Sequence, residues 1–152
     1  MTCTRTRRLA LSFVGLIAGD AALLLYMLLD AFVVRAQLLA AHMGDPYGQI
    51  PVAIQIFTLY APFSLVGWLI VGAPVVLLLP VRSITRWPWL LVVTLGACLG
   101  PPAMVVILLV LGYGVHPLRR DGLPFFIFSI LVSTVSFTVY VALLRNQLRD
   151  GN

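Results

Sequence analysis

Four apolar runs dominate this chain, covering about residues 9–34, 57–79, 89–113 and 124–144. A hydrocarbon core about 30 Å thick takes roughly 20 helical residues to cross, and each run is that long. Apolar residues lie nearly all round each run, with no alternation at a period of two. A membrane barrel needs short alternating strands, so it is excluded. In lipid every backbone N–H and C=O must be satisfied inside its own segment, which leaves the helix. The expected fold class is all-α: an integral membrane four-helix transmembrane bundle, one domain over residues 1–152.

Composition removes the soluble alternative. Of 152 residues, 61% are hydrophobic and 10% charged, and mean hydropathy is +1.06. Soluble domains are about 45–50% apolar and about 25% charged. Too little polar surface remains here to cover a globule in water. The ten basic residues are all Arg and the net charge is +5. They fall between the apolar runs and form no basic face, so nucleic acid is not an expected partner. The lipid bilayer is; a homo-oligomer or a membrane-protein partner stays open.

The connections are an outer loop at 36–56, with turn chemistry at Gly44-Asp45-Pro46, a short loop at 80–88 and an outer loop at 114–123. With four spans, both termini and the second loop share one side. That side carries Arg5, Arg7, Arg8, Arg82, Arg86, Arg145 and Arg149, against Arg35, Arg119 and Arg120 opposite. Positive charge stays inside, so both termini are expected in the cytoplasm of a bacterial inner membrane. Met1 to Arg8 before an apolar run also resembles a signal peptide. The run far exceeds the roughly 7–15 residues of a cleaved one, so an uncleaved anchor is expected.

Asp20 sits near the centre of the first span. An ionisable group there costs about 2.5–3.5 kcal/mol on insertion scales and faces the bundle interior or a cavity. No Arg matches its depth, so it is expected as a neutral, hydrogen-bonded acid or in a wet cavity. It is either a proton or cation site or an interhelical anchor. Asp30 is about 15 Å further along the axis, near the outer boundary.

On the fourth run, Ser129, Ser133, Ser136 and Tyr140 fall within a stripe about 60° wide, with Thr134 and Thr138 on the far side. The stripe reads as packing glue or as the lining of a polar path. Gly100-Pro101-Pro102 is expected to break the third helix, since two prolines deprive the carbonyls of Ala97 and Cys98 of their donors. Pro74 is expected to kink the second. Gly96 with Gly100, and Gly15 with Gly19, make small faces for close helix approach. Asp20, Cys98, Pro101, Pro102, Ser133 and Ser136 therefore form the candidate polar site at mid-depth, and Cys98 reads as a small packing residue. Broken helices and polar groups at the midplane are what membrane carriers use to hold ions.

No catalytic motif, phosphate loop or haem attachment is present, and no cofactor is expected. Cys3 and Cys98 have no metal-ligand spacing. A metal site drawn from His42, Asp45 and His116 would need two separate loops. An acid in the first of four spans resembles the small multidrug resistance transporters in position. The chain departs from them in its length, its long first outer loop, the stretch Gly15 to Asp20, and Asp in place of Glu. The likeness covers one residue and an architecture. The leading expectation is a non-enzymatic accessory or scaffold subunit acting through helix contacts. The alternative is a small proton- or cation-coupled carrier or channel using Asp20.

Overall fold

A computed structural model describes residues 4–42, 44, 45, 47–84, 86–110 and 123–149. Among them every regular element is a helix, with no strand. Helix α1 runs Arg5–Ala41, α2 Gln49–Gly67, a π-helical turn Trp68–Gly72, α3 Ala73–Leu78, α4 Val81–Ile84, α5 Trp89–Val110 and α6 Leu123–Arg149. The helix α2, the π turn and α3 form one continuous rod. Four helices are thus long and apolar enough to cross a membrane.

The helices outrun the apolar runs that predict them. Helix α1 continues to Ala41 and α2 begins at Gln49, so most of the loop expected at 36–56 is helical. Hydropathy marks the oil-soluble part of a helix, not its end. Ala36, Gln37, Leu38 and Leu39 are strong helix formers and simply carry α1 onward. It stops where His42 turns left-handed at φ 51°. Pro51 sits in the first turn of α2, where its missing N–H breaks no helical bond. The third loop, with His116, Arg119 and Arg120, lies outside the described residues, as does Cys3.

Neither proline site breaks its helix. Helix α5 passes through Gly100-Pro101-Pro102 without interruption, contrary to the expected break. A proline holds φ near −65°, which is helical, and removes one hydrogen bond without reversing the chain. Packing on both sides of the pair keeps α5 in line, because Gly96 and Gly100 before it lie against α6 and Met104 and Ile107 after it are buried. Around Pro74 the chain widens into the π turn, where the Ala73 N–H reaches back five residues to the Trp68 carbonyl. A one-turn π bulge of this kind gives the proline ring room against the preceding turn.

Helix α6 is the central post. It packs along both α1 and α5, α2 packs along α1, and the α2 rod touches α5 only lightly. Small residues set these approaches. A methyl group on Gly15 would lie 2.5 Å from the Ser136 carbonyl oxygen, and one on Gly19 would lie 2.6 Å from that of Val132. On α5, a methyl on Gly96 would meet the Thr134 Cα at 2.9 Å. Thr134 therefore borders α5 and does not lie on a far side. The small faces expected to receive partners are spent inside the chain. Buried Leu11, Val76, Ile84, Tyr140 and Leu144 form one apolar cluster; Leu16, Leu23, Met27, Tyr60 and Val132 form a second. Outward, large apolar side chains are bare, with Leu78 83% and Leu90 79% exposed. An apolar exterior of this extent suits lipid, not water.

Two arginines tie the end of the bundle that holds the start of α1 and the end of α6. Arg8 is buried, and its guanidinium donates to the carbonyls of Val76, Leu77 and Leu79 at the end of α3. The last carbonyls of a helix lack intrahelical donors and carry partial negative charge, so a cation fits there. Arg145 donates to the carbonyls of Ile84 and Trp87 and stands 4.3 Å from the Trp89 ring centroid. Both had counted only as orientation charges.

Candidate functional site

Asp20 lies on the side of α1 that meets α2, one residue on from the glycine face that meets α6. Its Oδ2 accepts a hydrogen bond from the Ser64 hydroxyl at 2.9 Å. The same hydroxyl lies 2.9 Å from the Ala61 carbonyl, one turn back in α2. Ser64 has one proton for two acceptors. When it turns to Ala61, the contact with Asp20 holds only if the acid brings its own proton; when Asp20 is ionised, Ser64 turns to it. The other carboxyl oxygen, Oδ1, is buried and has no hydrogen-bond partner among the described residues. Tyr60, one turn before Ser64 and 3% exposed, is within electrostatic reach of the acid.

In front of Ser64 a crevice of about 110 Å³ opens where the α2 rod and α5 fail to close on each other. Trp68, Met104, Ile107, Val132 and Phe137 make its apolar walls. Serines from three rods border it: Ser12 on α1, Ser64 on α2, and Ser129, Ser133 and Ser136 on α6, with the Ser136 Oγ turned against Gly19 of α1 and closed off from the space. The Trp68 indole N–H donates to Ser12 Oγ at 3.2 Å, tying the π turn to α1. Ser129 and Ser133 spend their protons on the carbonyls of Phe126 and Ile130 in their own helix. The Ser136 Oγ is buried without a hydrogen-bond partner among the described residues.

The structure gathers only part of the mid-depth constellation expected from sequence. Ser133 and Ser136 line the crevice together with Gly100, and Ser129 and Tyr140 border it. Asp20 stands behind Ser64 and does not line it. Cys98 points outward, so it is not a packing residue between helices. Pro102 is exposed and Pro101 half-buried, and neither reaches the crevice. The reason is angular. Residues 98, 101 and 102 share the depth of Asp20, but depth in a helix says nothing about azimuth.

Ser64, Ser12 and Trp68 went unremarked in the sequence. Ser64 had a legible signal, being a hydroxyl near the middle of the second run at about the depth of Asp20. Ser12 and Trp68 had none, since their pairing depends on how α1 and α2 face each other. At the far end Asp30 is exposed, while Arg35 stands 5.1 Å from the Tyr47 ring centroid. Among the described residues no group of three His, Cys, Asp or Glu gathers as a metal site. Chemically, the centre can hold a proton at Asp20 and offer hydrogen bonds inside an apolar slot. Comparison with known proteins adds no relative: no family model, no curated protein and no solved structure matches this chain.

Proposed function

We propose that this is a multi-pass, non-enzymatic membrane protein working as a small proton-coupled carrier, with Asp20 as the group that takes up and releases the proton. One observation carries this reading: the crevice between α2 and α5 ends on Ser64, and Ser64 is the hydrogen-bond partner of Asp20. The proton on the acid and the contents of the crevice are therefore separated by a single hydroxyl. The leading expectation from sequence, a scaffold acting through its small-residue faces, is weakened because Gly15, Gly19, Gly96 and Gly100 are already packed against α6.

The test uses the whole chain in sealed vesicles loaded with a pH-sensitive dye, with hexylamine as the probe solute and an imposed potential. Proton movement coupled to the solute is expected in the native protein and at the level of empty vesicles in Asp20→Asn. Equal rates in the two proteins would sink the proposal.

An accessory role keeps one supporting observation, namely that the light contact between α2 and α5 leaves a lateral slot open. Its test is reproducible co-purification of a membrane partner, or self-association, from mild detergent. Under either role the reading places both ends of the chain in the cytoplasm of a bacterial inner membrane. In the sequence the terminal side carries Arg5, Arg7, Arg8, Arg82, Arg86, Arg145 and Arg149 against Arg35, Arg119 and Arg120. Tags at the two ends reacting from opposite sides of a sealed vesicle would overturn that placement.

A further inference from the structure

We infer that α3 is a hinged gate over the terminal end of the crevice, and that Arg8 is the latch holding it shut. The crevice is the one on which the carrier reading rests, and the gate is how that space reaches water beside the chain ends.

Sequence supplies the joint. Gly72 and Pro74 bracket the start of α3, and a proline offers no amide to the turn before it. The chain answers with the π turn at Trp68–Gly72. Such turns, like prolines, are where helices bend by more than about 20°. At the other end Leu79 is extended, at φ −68° and ψ 131°, and Pro80 follows. The six residues of α3 thus lie between two joints.

The flanking segments are tied to their neighbours. Above, the Trp68 indole N–H donates to Ser12 on α1. Below, Arg145 on α6 donates to the carbonyls of Ile84 and Trp87. Between these ties only Ala73 and Val76 of α3 are buried, and Leu78 is almost wholly exposed. Helix α3 packs on α1 and touches α5 and α6 at most lightly. Among the described residues, every hydrogen bond from another helix to residues 73–79 comes from Arg8, through the carbonyls of Val76, Leu77 and Leu79.

The latch sits at the mouth it closes. Val75 and Val76 wall the crevice, and so does Ser12, one turn along α1 from Arg8. Helix α3 is about 9 Å long at 1.5 Å per residue. A bend of about 20° at the π turn therefore carries its lower end through about 3 Å, a water's width. That draws Val75 and Val76 off the wall and wets the space from the end bearing the termini. Both positions satisfy the charge. Shut, the guanidinium caps carbonyls that lack intrahelical donors. Open, its long stem reaches the water at the bundle end, where Arg5 and Arg7 are already exposed, and the carbonyls turn to water. Two satisfied arrangements make a switch, whereas a single one would make Arg8 only a brace.

Thiol reactivity reads the opening, because a thiol sealed in oil stays protonated and a wetted one ionises. The chain has two cysteines, so Cys3→Ser with Cys98→Ala clears the background. Ala103→Cys then places one thiol on the α5 wall of the crevice. The whole protein, in sealed phosphatidylcholine vesicles, is exposed to silver ion, which is small and does not cross lipid. Unfolding in SDS with a fluorescent maleimide then counts the thiols left unreacted. Slow reaction is expected from the side bearing the termini. Arg8→Gln should speed it by about ten- to hundredfold, the loss of a charged hydrogen bond. Adding Pro74→Ala, which returns an amide to the joint, should slow it again by about fivefold. Met27→Cys, buried in the second cluster, reports general loosening and should stay silent in each of these proteins.

An Arg8→Gln rate equal to that of the parent, a matching rise at Met27→Cys, indifference to Pro74→Ala, or entry from the opposite side alone would overturn the gate. If Arg8→Gln does not fold, Arg8→Lys, which keeps a charge but loses the fork, takes its place with a smaller rise. No flux is measured. Opening without Asp20-dependent proton movement removes the carrier and keeps the gate, and the converse result does the reverse.

Discussion

Replacing Gly15 by Ala adds one methyl group at the tightest point between α1 and α6. The ideal position of that methyl is 2.5 Å from the Ser136 carbonyl oxygen and 3.4 Å from the Tyr140 amide nitrogen, both backbone atoms. Backbone inside a helix cannot swing aside, so the two helices must separate by about 1 Å to restore an ordinary contact. A gap of that size forfeits a quarter to a half of the dispersion energy of each neighbouring atom pair. Ser12, Leu16 and Gly19 are buried along the same face and share the loss. Overpacking of this kind costs about 1–3 kcal/mol. Better helix propensity of Ala over Gly returns at most about 1 kcal/mol. The expected net loss is about 1–2 kcal/mol.

Gly67→Ala is the internal control, because its methyl would be crowded by the Ile107 Cδ1 tip alone, at 3.0 Å, with the Ala103 Cβ at an ordinary 3.8 Å. A side-chain tip can rotate away, so this variant should stay within about 0.5 kcal/mol of the native protein or exceed it. Unfolding in mixed micelles of dodecyl maltoside and SDS, followed by circular dichroism, measures both. Adding Gly19→Ala to Gly15→Ala should cost less than its effect alone, since the first methyl has already parted the helices. Equal stability of Gly15→Ala and Gly67→Ala would refute the claim that backbone contact, not side-chain fit, sets the α1–α6 distance.

Arg8→Gln removes charged hydrogen bonds to three carbonyls at the end of α3 and should cost about 2–4 kcal/mol in the same unfolding assay, while Arg5→Gln and Arg7→Gln, both exposed, should change stability by under about 0.5 kcal/mol. Ser64→Ala leaves Asp20 Oδ2 without its donor and should destabilise by about 1–3 kcal/mol; combined with Asp20→Asn the two losses should fall short of adding, which a double-mutant cycle reads directly. Cys98 faces outward, so Cys98→Leu should change stability by under about 0.5 kcal/mol in the same unfolding assay, and a loss above about 2 kcal/mol would show that it faces inward.

The spans, their helical state and the isolation of one acid at mid-depth were legible without coordinates, because transfer into oil is scored residue by residue and needs no neighbour. Azimuth was not legible. In a water-soluble helix the polar face points outward and reveals the buried one. In these helices the outward-facing and core-facing sides are both apolar, so hydropathy cannot separate them. Only close packing distinguishes them, and packing is a property of two helices together. Hence Gly15 and Gly19 could be named as a small face, but their partner, the backbone of α6 at Ser136 and Val132, came from the tertiary structure.

The same limit explains the errors in the centre. Asp20 was expected beside Ser133 and Ser136, yet it pairs with Ser64, and Cys98 and the two prolines face away. It explains Arg8 and Arg145 as well. A charge count along the chain assigns each arginine to a side, whereas use of a guanidinium as a cap on another helix depends on which carbonyls are left bare nearby. By itself the amino-acid order determined a chain of four apolar helices with one acid set deep inside the first. Tertiary structure alone decided which hydroxyl holds that acid and where the rods leave a slot, because both depend on the rotation of each helix about its own axis.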